Sequence, residues 1–153
     1  PVRRTEEYAT TLRDTFGLFI TKELIPELES SYKIDRTTGS KIVMGSSYGG
    51  NISIYLATEY PDIFGKVGAF SPYVDPKISS KIESEDKQNI HYYINHGKYD
   101  HLKPIHESTK RLLKVLDSRD YKYLYKEYPE AHHYEFWRAH VDEALIYLLQ
   151  DLH

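Results

Sequence analysis

The chain has 153 residues, 40% of them hydrophobic and 28% charged, which suits a single globular domain (1–153) with a sizeable core. A net charge of −3, with no basic block beyond Arg3-Arg4 and no apolar run of membrane-spanning length, argues against nucleic acid or a membrane as partner. The lack of cysteine removes disulfides, thiol catalysis and cysteine-based zinc sites together, and with no signal-peptide pattern a cytoplasmic location is the expectation.

Residues 5–32 read as one long helix, because Tyr8, Leu12, Phe16, Phe19, Ile20, Leu24 and Leu28 recur at three- and four-residue steps. Gly17 and Pro26 interrupt it, and Pro26 is expected to kink or restart the last turns. The turn cluster Asp35–Ser40 leads into a strand at 41–44, and after Gly45-Ser46-Ser47-Tyr48-Gly49 a helix continues to Glu59, ended by Tyr60-Pro61. Lys66 to Phe70 is a short strand. Residues 72–89 are a polar excursion with one or two helical turns. A strand from Ile90 to Asn95 ends at His96-Gly97, and Pro104 suits the first turn of a helix reaching about Ser118. Tyr121 to Tyr128 alternates as a strand with one wetter face, the loop Pro129–His133 follows, and a last helix over about Glu135–Leu149 buries Trp137, Val141, Ala144, Leu145 and Leu148.

Strands alternating with helices predict an α/β fold in three layers around a mostly parallel sheet, with sites at the carboxyl ends of the strands. Gly45-Ser46-Ser47-Tyr48-Gly49 has the G-x-S-x-G spacing of a nucleophile elbow, in which a strained strand-to-helix turn pushes the serine hydroxyl into solvent. The glycines two before and two after are expected where a Cβ would strike a neighbouring element. Asp100 follows the third strand, and His132 and His133 follow the fourth. The order Ser…Asp…His is that of the α/β-hydrolases. In that chemistry histidine takes the serine proton and returns it to the leaving alcohol, while the acid fixes the imidazole tautomer.

Each group also has a plainer use. Ser47 can sit in a turn that merely caps a helix, Asp100 can cap the helix after it, and a loop histidine is usually solvated. Asp75 is a rival acid, and spacing does not choose between His132 and His133. His91, His96, His101 and His106 recur every five residues, a pattern that matches no metal-ligand spacing, so no metal or other cofactor is expected. The fifteen tyrosines suit half-buried packing more than a glycan- or aromatic-binding surface.

Residues 3–149 resemble the later part of the Putative esterase family, α/β-hydrolases related to esterase D, enterochelin esterases and feruloyl esterases. The resemblance rests on Arg4–Tyr8, Glu23-Leu24-Ile25-Pro26, Gly45–Gly50, Tyr60–Gly65, Ala69-Phe70-Ser71-Pro72 and His132…Trp137-Arg138. The family's histidine follows a small residue and precedes the tryptophan of a Trp-Arg pair by five positions, which fits His132 and not His133. Tyr48 stands where methionine is common, and Glu130-Ala131 where two glycines are common; neither change removes a reacting atom. The resemblance therefore implies a serine carboxylesterase with catalytic Ser47, Asp100 and His132, the Tyr48 backbone N–H as one oxyanion donor, and a small-molecule ester as substrate.

Such esterases carry further strands, and a loop with a second oxyanion donor, before the region matched here. The chain is therefore expected to be a C-terminal portion of the fold, with an open apolar edge beside Ile42-Val43-Met44. The partner expected at that edge is an N-terminal fragment of the same protein or a second copy. The competing function is a non-catalytic hydrolase-like module that binds a carbohydrate or aromatic ligand.

Overall fold

The computed structural model describes residues 3–150. The predicted long first helix is three shorter pieces: α1 (Arg4–Ala9), α2 (Arg13–Leu18) and α3 (Ile25–Ser31), with a π-helical turn over Phe19–Leu24 joining the last two. The first break falls at Thr10 rather than Gly17, and its cause is tertiary. The Asn51 side-chain amide donates to the Tyr8 carbonyl (2.7 Å), taking an acceptor that a continuous helix would need for Leu12 N–H. Pro26 enters the first turn of α3 without an N–H to give back, and the wide turn before it absorbs the missing bond. The apolar stripe is only partly covered, with Phe19, Leu24 and Leu28 still 36–44% exposed.

A 3₁₀ turn (Thr38–Ser40) then feeds β1 (Ile42–Ser46), and the chain alternates through α4 (Tyr48–Glu59), β2 (Lys66–Phe70), α5 (Pro76–Ser84), β3 (His91–Gly97), α6 (Lys103–Ser118) and β4 (Tyr123–Tyr128). The expected excursion at 72–89 thus holds a full nine-residue helix, started by Asp75, whose carboxylate accepts from Lys77 N–H, and by Pro76 at its first position. The single helix expected at the end is two, α7 (Tyr134–Arg138) and α8 (Val141–Leu149). The break comes at His140, whose ring Nδ1 takes the Phe136 carbonyl (2.8 Å) while its own N–H shortens to Trp137 O.

The four strands are all parallel and lie in chain order, β1-β2-β3-β4, with Ile42, Lys66 and His91 in register and Tyr92 beside Tyr123. Side chains alternate across the sheet. Val67, Ala69, Tyr92 and Ile94 face the core under α4, α5 and α6, while Phe70 and Tyr93 face α8 through Ala144 and Leu148. Leu112 and Leu116 of α6 are fully buried; truncating either to alanine would cost about 2–5 kcal/mol. The tyrosines divide, with Tyr92 and Tyr93 wholly inside and Tyr99 and Tyr134 more than 60% exposed.

Among the described residues, β1 pairs on one side only, and all five of its residues are half-buried. An apolar groove of about 470 Å³ runs along that margin between Tyr8, Phe16, Ile20, Ile25 and Val43.

Candidate active site

Three candidate groups lie at the carboxyl ends of the strands. Ser47 joins β1 to α4 with φ 57° and ψ −121°, a positive φ that is rare for a side-chain-bearing residue and marks a strained turn. Its N–H is tied to the Phe70 carbonyl at 2.8 Å, and its side chain makes no capping bond, so the plain helix-cap role is not what it does here. Tyr48 is the first residue of α4, where a backbone N–H has no intrahelical acceptor and is free for an anion.

The tightness of this turn falls on one glycine of the motif. A Cβ at Gly45 would lie 2.4 Å from the Gly49 carbonyl oxygen, whereas one at Gly49 would meet nothing within 4 Å. The expectation that both glycines are sterically required is corrected on this point. Gly45 needs its missing side chain because Gly49 passes over it, and Gly49 itself points to open space. The second crowded position is Gly50, where a Cβ would lie 2.8 Å from the Pro72 ring.

Asp100 sits in the turn after β3 with its carboxylate fully buried. One oxygen accepts from Leu102 N–H (2.9 Å), closing the turn ahead of α6, and the other lies 2.6 Å from His132 Nδ1. A carboxylate only accepts, so Nδ1 carries the proton and Nε2 is the basic nitrogen of the neutral ring. The loops bearing the two residues are stitched together by Tyr99 N–H to Glu130 O (2.9 Å) and Lys98 N–H to Tyr128 O (2.7 Å). Gly97 permits this approach, because a Cβ there would fall 2.3 Å from the Glu130 carbonyl oxygen.

His133, the other candidate, is used elsewhere. Its Nδ1 accepts from Phe136 N–H (3.2 Å) as the N-cap of α7, and Nε2 faces Glu130 (3.2 Å). The rival acid Asp75 is likewise committed, with one oxygen on Arg13 (2.8 Å) and the other on Lys77 N–H (2.9 Å). The structure thus brings Asp100 to His132 and leaves His133 and Asp75 outside the pair. Among the described residues no hydrogen bond joins the Ser47 hydroxyl to His132 Nε2, a contact that in unliganded sites is often long until substrate binds.

Two further residues shape the pair. Trp137 meets the His132 ring edge-on, with centroids 4.8 Å apart at 83°, and its indole N–H donates to Ser71 Oγ (3.1 Å). Ser71 is fully buried and also holds a positive φ of 42°. Spacing alone gave Ser71 no role; its signal lay in the Ala69–Pro72 match to the family. Beside the turn, a largely apolar cavity of about 270 Å³ is lined by Met44, Gly45, Ser46, Phe70, Trp137 and Tyr134, among others. The five-residue histidine ladder gathers no metal site, since no cluster of three potential ligands occurs among the described residues. Nor, among those residues, is any helix long and apolar enough to cross a membrane.

The profile of the family described as "Putative esterase" matches residues 3–148. The uncharacterized protein YjcH of Bacillus subtilis (strain 168) is 24% identical over 136 residues, which are 83% of this chain and 57% of that protein. Enterobactin esterase FES from Shigella flexneri, solved in the presence of 2,3-di-hydroxy-N-benzoyl-serine, superposes with a TM-score of 0.86 at 20% identity, over 99% of this chain and 42% of that one. S-formylglutathione hydrolase FrmB from Staphylococcus aureus gives 0.75 at 18% identity, over 95% and 64%. These likenesses are of fold, and they identify the three-layer parallel arrangement as that of the α/β-hydrolases.

Proposed function

Because the chain belongs to the Putative esterase family, we propose that it hydrolyses carboxylic esters through an acyl-enzyme on Ser47. The observation that carries the reading is the buried 2.6 Å contact between His132 Nδ1 and Asp100, at the same sheet edge as a serine held at positive φ.

The chemistry follows from which atoms hold protons. Ser47 Oγ attacks the ester carbonyl as its proton passes to His132 Nε2, and the imidazolium is stabilised by the Asp100 carboxylate. The Tyr48 N–H faces the oxyanion of the tetrahedral intermediate. As that intermediate collapses, the carbon–oxygen bond to the alcohol breaks and His132 returns the proton to the leaving oxygen. Water then attacks the acyl-enzyme, giving a proton to His132, and as the bond from the acyl carbon to Ser47 Oγ breaks, His132 passes that proton to Oγ and the carboxylic acid departs. The apolar cavity beside Ser46 is the space offered to one half of the ester.

The same reading extends to the open margin. Further strands of a longer polypeptide would pair with β1 and supply the second oxyanion donor, a reading supported by the unpaired edge and by relatives of greater length. Loss of one such donor typically costs about 10²–10³ in turnover, so the longer protein would be the more active form.

The test is hydrolysis of p-nitrophenyl acetate together with fluorophosphonate labelling read by intact mass. Ser47→Ala should abolish both with the circular dichroism unchanged. Turnover that survives the substitution would overturn the serine mechanism. If the native protein takes up no label, the non-catalytic binding module becomes the better reading.

A further inference from the structure

Behind the Asp100 carboxylate stand two histidines that the proposed hydrolysis does not use. His106, in the first turn of α6, places Nε2 at 2.9 Å from the Asp100 carbonyl oxygen. A carbonyl only accepts, so this nitrogen is the protonated one and the bond runs from His106 to the backbone of the acid.

His96, on β3, meets that ring edge-on, with centroids 4.6 Å apart and planes at 89°. It is 1% exposed and is itself held from β4. The Tyr125 hydroxyl lies 2.8 Å from its Nδ1, and a Glu127 carboxylate oxygen lies 3.2 Å from Nε2 without forming a regular hydrogen bond. With a carboxylate at Nε2, the proton sits there and Nδ1 accepts from the tyrosine. Burial pushes the His96 pKa down; His106 and Lys110 push the same way, while Glu127 and Asp100 oppose them. His96 is therefore a neutral ring fixed in orientation, and it walls in His106.

We propose that His106 is a positioning residue for the acid of the site, holding the Asp100 carbonyl so that its carboxylate stays aligned with His132. The inference rests on the reading that this pair serves Ser47. Asp100 is tethered at four atoms. Its N–H goes to Gly97 O (3.1 Å), one carboxylate oxygen takes Leu102 N–H, the other faces His132 Nδ1, and its carbonyl takes His106. The first two bonds are internal to the turn, so they hold its shape and not its direction. Of the four, only the bond from His106, anchored in a helix, reaches the backbone of Asp100 from outside the turn. A displacement of about 1 Å at such a point is the kind that lowers turnover by roughly 10²-fold.

The experiment compares native protein with His106→Leu, which removes the donor, and His106→Gln, whose amide nitrogen reaches the position of Nε2. Two quantities are read: kcat and KM for p-nitrophenyl acetate, and the NMR resonance of the His132 Nδ1–H proton that faces Asp100. For His106→Leu we expect kcat to fall roughly 10–100-fold at little-changed KM. The His132 Nδ1–H resonance should move upfield, because a misaligned carboxylate accepts a longer, weaker hydrogen bond. His106→Gln should recover most of both. Native kcat and an unmoved Nδ1–H resonance in His106→Leu would overturn the proposal, as would a His106→Gln variant that loses as much as His106→Leu. If His106→Leu does not fold, His106→Asn, whose amide falls short of the carbonyl, serves as the donor-less arm. The NMR resonance needs no turnover, so failure of the esterase reading would leave native protein inactive while the resonance still moved with the side chain at 106.

Discussion

β3 and β1 end at the same edge of the sheet and are supported very differently. β3 is hydrogen-bonded on both sides, six of its seven residues are buried, and the acid that follows it is tied at four atoms. Among the described residues β1 is bonded on one side, none of its residues is fully buried, and Ser47 after it is held by one backbone bond and the start of a helix. The proposed acid–base half is thus a finished structure, whereas the proposed nucleophile sits on the margin. The difference teaches that the shape of the Ser47 turn comes from local crowding at Gly45, and that of the Asp100–His132 pair from long-range contacts.

That contrast can be broken most severely at its strong end. Asp100→Asn should lower kcat about 10⁴-fold with the fold retained, because an amide leaves His132 in the wrong tautomer; near-native ester hydrolysis by this variant would remove the pair from the chemistry. Gly97→Ala drives a methyl into the Glu130 carbonyl and should cost about 1–3 kcal/mol in urea unfolding, with loss of activity as the two loops part. Gly49→Ala, in the motif itself, should instead leave stability unchanged or raise it by up to about 1 kcal/mol, since the position is open and helical. A large loss there would mean the Ser47 turn is more crowded than its geometry implies. Trp137→Phe keeps a ring against His132 but removes the donor to Ser71, and thermal melting should register about 0.5–1.5 kcal/mol.

The smallest effect is one of pH. Burial holds the folded pKa of His96 below the ordinary 6.5, so the unfolded chain takes up a proton that the folded one refuses. Its contribution is intact above pH 6.5 and declines as the pH falls through the window below it, by at most about 1.4 kcal/mol per pH unit. Urea unfolding between pH 7.5 and 5.5 should show this slope, and His96→Gln should flatten it.

The parts of the molecule legible in the sequence are those governed by neighbours in the chain. The β2 boundaries, the α6 start near Pro104 and the strained turn at Ser47 all follow from short-range patterns, and the structure has them. What was misread depends on side chains that bond to the backbone, which periodicity does not register. The first helix breaks because Asn51, 43 residues away, captures the Tyr8 carbonyl. The last helix breaks because the His140 ring bonds back to Phe136. Adjacent histidines at 132 and 133 look alike until α7 forms and uses one of them as its cap. His106 carried no signal at all, because no spacing rule links a helix residue to a carbonyl six positions earlier.

The order of the strands has a consequence in time. Among the described residues each strand pairs only with its chain neighbours, across connections of roughly 20–25 residues, so growth of this sheet waits on no distant segment. Growth from β3 outward would set the Asp100 and His132 loops against each other early and add β1 and its turn at the perimeter. Opening should run in reverse, and amide exchange in β1 should outpace that in β3. The strand that carries the serine would be the last laid down and the first to come loose.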